Sequence, residues 1–237
     1  ANTISKIALG IDDTAVTTFA TIAIGSKRPI IIVPAMHLSM YDHDIVQDNV
    51  TKLKDQGIEF IEPFFKDNKA KLASNQEIVA RVIKRIGPNQ LHGKKVLIIG
   101  GSTEEAIDDV RCLTNKSSGK TAVLLAKNAF FNGADVSIWY GQSNTSVPTF
   151  IDQTRFTSLN DLKALIIQTN LDFDLIIVCA ALADFIPDKQ SGKIDSSKKT
   201  ITIQARAAEK ILPLIRKHSP SATIIGFKLA ETKEQAI

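Results

Sequence analysis

Cysteine is nearly absent from this chain. Its two thiols among 237 residues, Cys112 and Cys179, stand far apart and at no metal or redox spacing, which excludes a disulfide framework and a zinc module. Both neighbour apolar residues and are expected to be buried as small hydrophobes. No segment reaches the roughly 18 uncharged apolar residues of a membrane span, and the opening residues carry no basic-then-apolar signal pattern. A cytoplasmic protein with no membrane partner is expected. Aromatic residues make up only 6% of the chain, and its basic residues are dispersed rather than interleaved with them, so nucleic acid is not an expected partner. The net charge of +4 is modest and suits phosphorylated small molecules.

What is present is the composition of a globular protein, 44% hydrophobic and 23% charged, in a chain long enough for one large or two small domains. Ile4, Ile7, Ala8 and Ile11 have helical spacing with no cap or initiator methionine before them, so the opening reads as the inside of a larger protein. Residues 17–24 read as a second apolar helix, and Pro-Ile-Ile-Ile-Val-Pro at 29–34 as a buried parallel strand. Residues 35–43 are expected as a loop, 44–56 as a helix ending at Gly57, 58–61 as a short strand and 66–74 as a polar loop. Asn75 is expected to cap a helix running to about Ile86.

Residues 87–94, rich in glycine, proline and polar side chains, form the expected linker between a domain at 1–86 and another at 95–237. Beyond it, strands are expected at 95–99, 135–140, 174–179 and 222–227, with helices at about 119–132, 158–170 and 207–218. The fold class is therefore α/β, with two open, mostly parallel sheets and flanking helices. Residues 193–205 break the rhythm and read as a hairpin or flap. The sequence stops at Ile237 on what reads as a new helix, so the second domain is expected to be incomplete.

The chemistry concentrates after the apolar run Val96-Leu97-Ile98-Ile99. There follow Gly100-Gly101-Ser102-Thr103-Glu104-Glu105-Ala106-Ile107-Asp108-Asp109-Val110-Arg111 and then Asn115-Lys116-Ser117-Ser118-Gly119-Lys120. A strand emptying through glycines into a helix is how α/β proteins cradle phosphates. A nicotinamide-binding domain would want Gly-x-Gly-x-x-Gly and an acid closing the second strand; here the turn is Gly-Gly-Ser and that strand ends Trp139-Tyr140-Gly141. A Walker loop also fails, because Thr114 stands where its first glycine belongs. A second constellation, Ala180-Ala181-Leu182-Ala183-Asp184-Phe185, follows the strand ending at Cys179, and Gly192-Lys193-Ile194 and Ile225-Gly226-Phe227-Lys228-Leu229 come later.

Together these segments resemble phosphopantothenate–cysteine ligase, the synthetase half of bifunctional coenzyme A biosynthesis enzymes, whose pattern runs Gly-Gly-Thr-x-Glu-x-Ile-Asp-x-Val-Arg, Asn-x-Ser-Ser-Gly-Lys, Ala-Ala-Val-Ala-Asp, Lys-Ile-Lys and Gly-Phe. The departures are Leu182 for valine and Asp195 for the last lysine. The resemblance implies that CTP or ATP, with Mg2+, activates the carboxylate of 4′-phosphopantothenate as an acyl-nucleotidyl phosphate, which the cysteine amine then attacks. It implies catalytic roles for Asn115, Lys193 and Arg111. Nucleotide and substrate would be bound by Gly100, Gly101, Ser102, Ser117, Ser118, Gly119, Lys120, Ala180, Ala181, Asp184 and Phe227, with Asp184 also the Mg2+ contact.

Residues 1–86 resemble the C-terminal part of the FMN-dependent phosphopantothenoylcysteine decarboxylase. The match lies in Ala1-Asn2-Thr3-Ile4-Ser5-Lys6-Ile7-Ala8, Gly10-Ile11-Asp12-Asp13, Thr17-Thr18 and Pro34-Ala35-Met36-His37-Leu38-Ser39-Met40-Tyr41. It implies Asn2, Asp12, Met36, His37 and Met40 as residues of the flavin and substrate site, His37 standing where the family has asparagine. The family's opening strand, phosphate loop and catalytic histidine would precede Ala1, and residues 67–73 lack its cysteine, so this stretch alone is not expected to decarboxylate. A homo-oligomer is implied, since neighbouring chains complete such sites. The alternative is a non-catalytic flavin- or nucleotide-binding module of the same fold.

Overall fold

The computed structural model describes residues 1–197 and 199–228, which divide into two compact units meeting between Ile86 and Gly87. The expected helix at the end of the chain, and Leu229 of the Gly-Phe motif, lie outside the described residues.

In the first unit, α1 (Asn2–Leu9) and α2 (Ala15–Gly25) precede the two-residue strand β1 (Ile31–Ile32). Then come β2 (Met36–His37), α3 (Leu38–Tyr41), α4 (Asp44–Asp55), β3 (Glu59–Phe60), β4 (Phe64–Lys66), β5 (Lys69–Lys71) and α5 (Asn75–Ile86). Ile4 and Ala8 of α1 meet Val50 and Leu53 of α4 over Ile58, and Ile30, Ile32 and Phe60 pack against them. Each fully buried isoleucine, valine or leucine among them contributes about 2 kcal/mol of transfer free energy. β1 pairs in parallel with β3, while β2, β5 and β4 form an antiparallel sheet.

The sequence expectation of a loop at 66–74 missed the β4–β5 hairpin, whose turn places Asp67 and Asn68 in the left-handed region (φ 55 for both). Those two residue types tolerate that conformation through local hydrogen bonding. Ser74, rather than Asn75, caps α5: its hydroxyl accepts the Glu77 N–H at 3.2 Å.

The second unit carries β6 (Lys95–Gly100), β7 (Glu104–Ala106), β8 (Cys112–Thr114), α6 (Lys120–Phe131), β9 (Asp135–Tyr140), β10 (Asp152–Arg155), α7 (Leu159–Gln168), β11 (Leu175–Val178), β12 (Phe185–Pro187), β13 (Ala205–Ala207), α8 (Ile211–His218) and β14 (Thr223–Gly226). Five strands make an all-parallel sheet in the order β10-β9-β6-β11-β14. Alternate residues serve its two faces. Leu97, Ile99, Trp139, Ile176 and Val178 join Leu159, Leu162 and Ile166 of α7 and Ile211 and Ile215 of α8 in one core. On the other face α6 buries Ala122, Val123, Ala126, Ala129 and Phe130.

Residues 89–94, within the stretch read as a linker, form hydrogen-bonded turns, with the Leu91 N–H donating to the Asn132 carbonyl at 2.8 Å. Two features depart from the sequence reading. Cys112 is exposed, because β8 belongs to a small surface hairpin and none of its three residues is buried; Cys179 is half-buried. The flap's paired arms are β12 and β13, which flank the span read as a hairpin and overlap it only at Ala205.

Candidate functional site

Open parallel sheets bind ligands beyond the carboxyl ends of their strands, and the motif residues of the second unit gather at that edge. β6 ends at Gly100 and turns at Gly101, whose φ of 79 is left-handed. A side chain there would lie 2.8–2.9 Å from the Gly141 and Gln142 backbone, so only glycine fits. Ser102 exchanges two backbone hydrogen bonds of 2.9 Å with Gln142, and the Ala181 N–H donates to the Gly101 carbonyl at 2.8 Å. The turn thereby ties together the ends of β6, β9 and β11.

The next residues fold back as the β7–β8 hairpin. Glu105 is buried (3% exposed) and accepts the Leu159 N–H at 2.8 Å, closing the first turn of α7. Thr103, also buried, accepts the Ala183 N–H at 3.0 Å on its hydroxyl. Asp108 has a fully buried side chain that takes the N–H groups of Val110 (2.8 Å), Arg111 (2.6 Å) and Ile194 (3.0 Å), together with the Arg111 guanidinium at 2.6 Å. The Ile194 N–H foremost, and the other donors with it, hold this carboxyl far below the usual carboxylate range against the opposing effect of burial. Sequence reasoning did not single out Glu105, Asp108 or Thr103. Their signal was the family motif itself, read for ligand donors rather than for internal acceptors.

Asn115 lies just past β8. Its side-chain N–H group donates to the Leu182 carbonyl at 2.9 Å and the Ala181 carbonyl at 3.4 Å, joining the two main motifs. Ser117 and Ser118 accept the N–H groups of Gly119 and Lys120 at 3.3 and 3.4 Å, so two of the donors expected at this helix start are already engaged. Gly119 is left-handed (φ 70) and packs against the Tyr140 hydroxyl, leaving no room for a side chain. Lys120 begins α6, exposed to solvent.

Arg111 does not present its whole fork outward: Nη1 is bound to Asp108 and also donates to the Ile194 carbonyl at 3.2 Å. Lys193, next in the chain to Ile194, is exposed and has no acidic partner among the described residues. Ala180 packs on the core. Asp184 is exposed and ion-paired with Lys210 at 2.6 Å. The Phe227 N–H donates to the Val178 carbonyl at 2.9 Å, which sets its exposed ring beside the end of β11. Among the described residues no cluster of three or more acidic, histidine or cysteine side chains is arranged to hold a metal. The half-buried Cys179 thiol is pushed up to about 11 by burial and is inert as a nucleophile.

In the first unit, Met36, His37 and Met40 share the β2–α3 segment. Met36 packs on the core and Met40 is exposed. His37 caps α3, its Nδ1 accepting the Ser39 N–H at 3.4 Å and lying 2.9 Å from the Ser39 hydroxyl. Asn2 starts α1, whereas Asp12 follows its other end and accepts from the Thr18 hydroxyl, so a helix about 12 Å long stands between them. A cleft of about 680 Å3 in the second unit, lined by Lys94, Lys95, Asp172 and Asp174, opens at the amino edge of the sheet, opposite the motif residues.

No helix among the described residues is long and apolar enough to cross a membrane. Residues 91–236 match the family model for the DNA/pantothenate metabolism flavoprotein C-terminal domain, and residues 1–87 match the Flavoprotein model. The chain is 43% identical over 236 residues to the coenzyme A biosynthesis bifunctional protein CoaBC of Thermococcus kodakarensis, covering 98% of this chain and 57% of that protein. It is 37% identical over 230 residues to the protein of the same name from Methanocaldococcus jannaschii, covering 96% of this chain and 56% of that protein. It therefore spans little more than half the length of these relatives. A crystal structure of the C-terminal domain of such a bifunctional protein superposes with a TM-score of 0.52 at 30% identity, over 62% of this chain and 70% of that one. The chain belongs to the DNA/pantothenate metabolism flavoprotein family.

Proposed function

We propose that this chain is part of an enzyme of coenzyme A biosynthesis that joins 4′-phosphopantothenate to cysteine. The observation that carries the reading is Asn115, whose amide binds the carbonyls of Ala181 and Leu182 and so sets two motifs, far apart in sequence, on one edge of the sheet. The phosphopantothenate carboxylate attacks the α-phosphorus of CTP or ATP and pyrophosphate leaves. The cysteine amine then attacks the acyl carbon, and the nucleoside monophosphate departs.

Lys193 supplies positive charge where the triphosphate negative charge grows, while Asn115, its amide hydrogens engaged by Ala181 and Leu182, holds the two motif loops together beside the acyl intermediate. Arg111, with Nη1 held by Asp108, directs what remains of its fork to the same anions. The Gly100-Gly101-Ser102 turn and the Ser117-to-Lys120 helix start lie under the phosphates, and Phe227 forms a wall for the base. Mg2+ would enter as an ion carried by the triphosphate, and Asp184, now ion-paired with Lys210, would be the carboxylate to contact it.

The longer protein would also decarboxylate the ligated product. There Met36 and Met40 give apolar contacts, and the His37 ring gives a hydrogen-bonding group, suited to FMN and its substrate. FMN supplies the thiol oxidation that makes the carboxylate labile. Asn2 and Asp12 would serve that site from either end of α1. A cytoplasmic homo-oligomer completes the reading, and α2 leaves Val16, Phe19 and Ile22 60%, 75% and 60% exposed for a neighbouring chain.

The test is pyrophosphate release by the full-length protein given 4′-phosphopantothenate, Mg2+ and CTP or ATP, with and without cysteine. Release dependent on phosphopantothenate is expected and identifies the nucleotide. No release with either nucleotide from folded protein overturns the ligase reading in favour of a non-catalytic binding module.

A further inference from the structure

We propose that Asp108 is the positioning residue for Lys193: its buried carboxylate fixes the backbone of Ile194, and through it the neighbouring lysine, at the carboxyl edge of the sheet. The inference rests on the ligase reading, which gives Lys193 its work.

Lys193 lies in a segment with little regular structure between β12 and β13, where an exposed lysine would ordinarily sample a wide volume. Here the segment is gripped on both sides of it. The Gly192 N–H donates to Asp109 at 3.0 Å, and the Ile194 N–H donates to Asp108 at 3.0 Å. The Gln190 N–H reaches the Ile107 carbonyl at 2.9 Å, and Lys189 pairs with Asp109 at 2.9 Å.

The two aspartates are unequal. Asp109 is half-exposed, and its ion pair is open to screening by water and salt. Asp108 has no exposed side-chain surface, and Arg111 completes a closed ring from Asp108 to Ile194 and back by donating to the Ile194 carbonyl. The Ile194 side chain is itself buried (8% exposed). A buried carboxylate that takes three backbone N–H groups and a guanidinium has one stable arrangement, so the backbone it holds has one as well. Asp108→Asn keeps the volume but puts an N–H group where two donors now converge.

The experiment compares Asp108→Asn, Asp109→Asn, Lys193→Gln and the Asp108→Asn/Lys193→Gln pair in the full-length protein. kcat and KM for pyrophosphate release are measured beside the thermal midpoint. Asp108→Asn is expected to lower kcat by about tenfold or more while moving KM for phosphopantothenate little, as Lys193→Gln does. The double variant is expected to fall within about threefold of Lys193→Gln alone, because the two act as a unit. Asp109→Asn is expected to change kcat less than about threefold, its contact being solvated.

Independent, multiplicative losses in the double variant, or an Asp108→Asn enzyme with unchanged kcat, overturn the proposal. Should Asp108→Asn be recovered unfolded, Asp108→Glu, which keeps the charge but displaces it from the Ile194 N–H, combined with Lys193→Gln gives the same test: coupling supports the proposal and multiplicative loss overturns it. A wild-type protein that releases no pyrophosphate instead overturns the ligase reading beneath it.

Discussion

Replacing Asn115 by Asp keeps its outline and removes its only side-chain donors. The carbonyls of Ala181 and Leu182, now hydrogen-bonded at 3.4 and 2.9 Å, would face a carboxylate, and the two motif loops would separate. Asn115→Asp is expected to cut pyrophosphate release by roughly tenfold or more, since two hydrogen bonds between the motif loops, about 1–3 kcal/mol, are replaced by oxygen facing oxygen; undiminished turnover removes Asn115 from the site. Gly119 gives a stability test. Gly119→Ala meets both a left-handed backbone, costing roughly 1–2 kcal/mol, and the Tyr140 hydroxyl. Adding Tyr140→Phe relieves part of the overlap but not the backbone strain, and forfeits the hydroxyl's bond to the Thr145 carbonyl. The urea midpoint should therefore recover only in part. Asn115 and Lys193 were singled out in the sequence by the Asn-x-Ser-Ser-Gly-Lys and Lys-Ile segments of the family resemblance, which name residues but not the partners they hold. The engagement of Arg111 by Asp108 was not, because sequence cannot distinguish an arginine facing a ligand from one facing a neighbouring carboxylate.

Elements at the edge of the sheet are held by side chains rather than by long pairings, and α7 shows it most plainly. Its first N–H groups are satisfied by the Ser158–Asp161 capping box and by Glu105, which reaches in from β7. Glu105→Ala leaves the Leu159 N–H buried and unpaired, an expected loss of about 1–3 kcal/mol. A urea midpoint equal to wild type would show that water replaces the carboxylate. The apolar strands β6, β9 and β11 stood where the sequence put them, because buried parallel strands are continuous hydrophobic runs. β10, Asp-Gln-Thr-Arg, escaped notice because an edge strand is free to be polar. The flap's arms were misplaced because Phe185-Ile186-Pro187 carries a proline, which argues against a strand until it stands at an edge.

Across the described residues the carboxyls that folding depresses are unevenly divided between the two units. In the second unit Asp109, Asp161, Asp174 and Glu209 are held below their ordinary ranges, first by Lys189, the Ser158 N–H, Lys94 and Lys163 respectively. Asp108 lies lower still. In the first unit Glu62 alone among the described residues shares that direction, the Lys54 and Tyr41 hydrogen bonds outweighing burial. A carboxyl depressed by folding stabilises the native state above its unfolded pKa, and that stability is lost as pH falls through the folded value. Acid should therefore weaken the second unit progressively below about pH 4. Asp108→Asn should flatten that dependence, as followed by urea titrations at successive pH values. An unchanged slope would mean that the unfolded chain retains the same contacts.

Trp139 turns this division into a signal. It is the only tryptophan in the chain, 4% exposed in the second unit's core, while the first unit contains none. Selectively excited indole emission thus reports on one unit and is silent about the other. In this chain a red shift marks solvent reaching the core beneath the motif edge, even where circular dichroism, which sums both units, has barely moved.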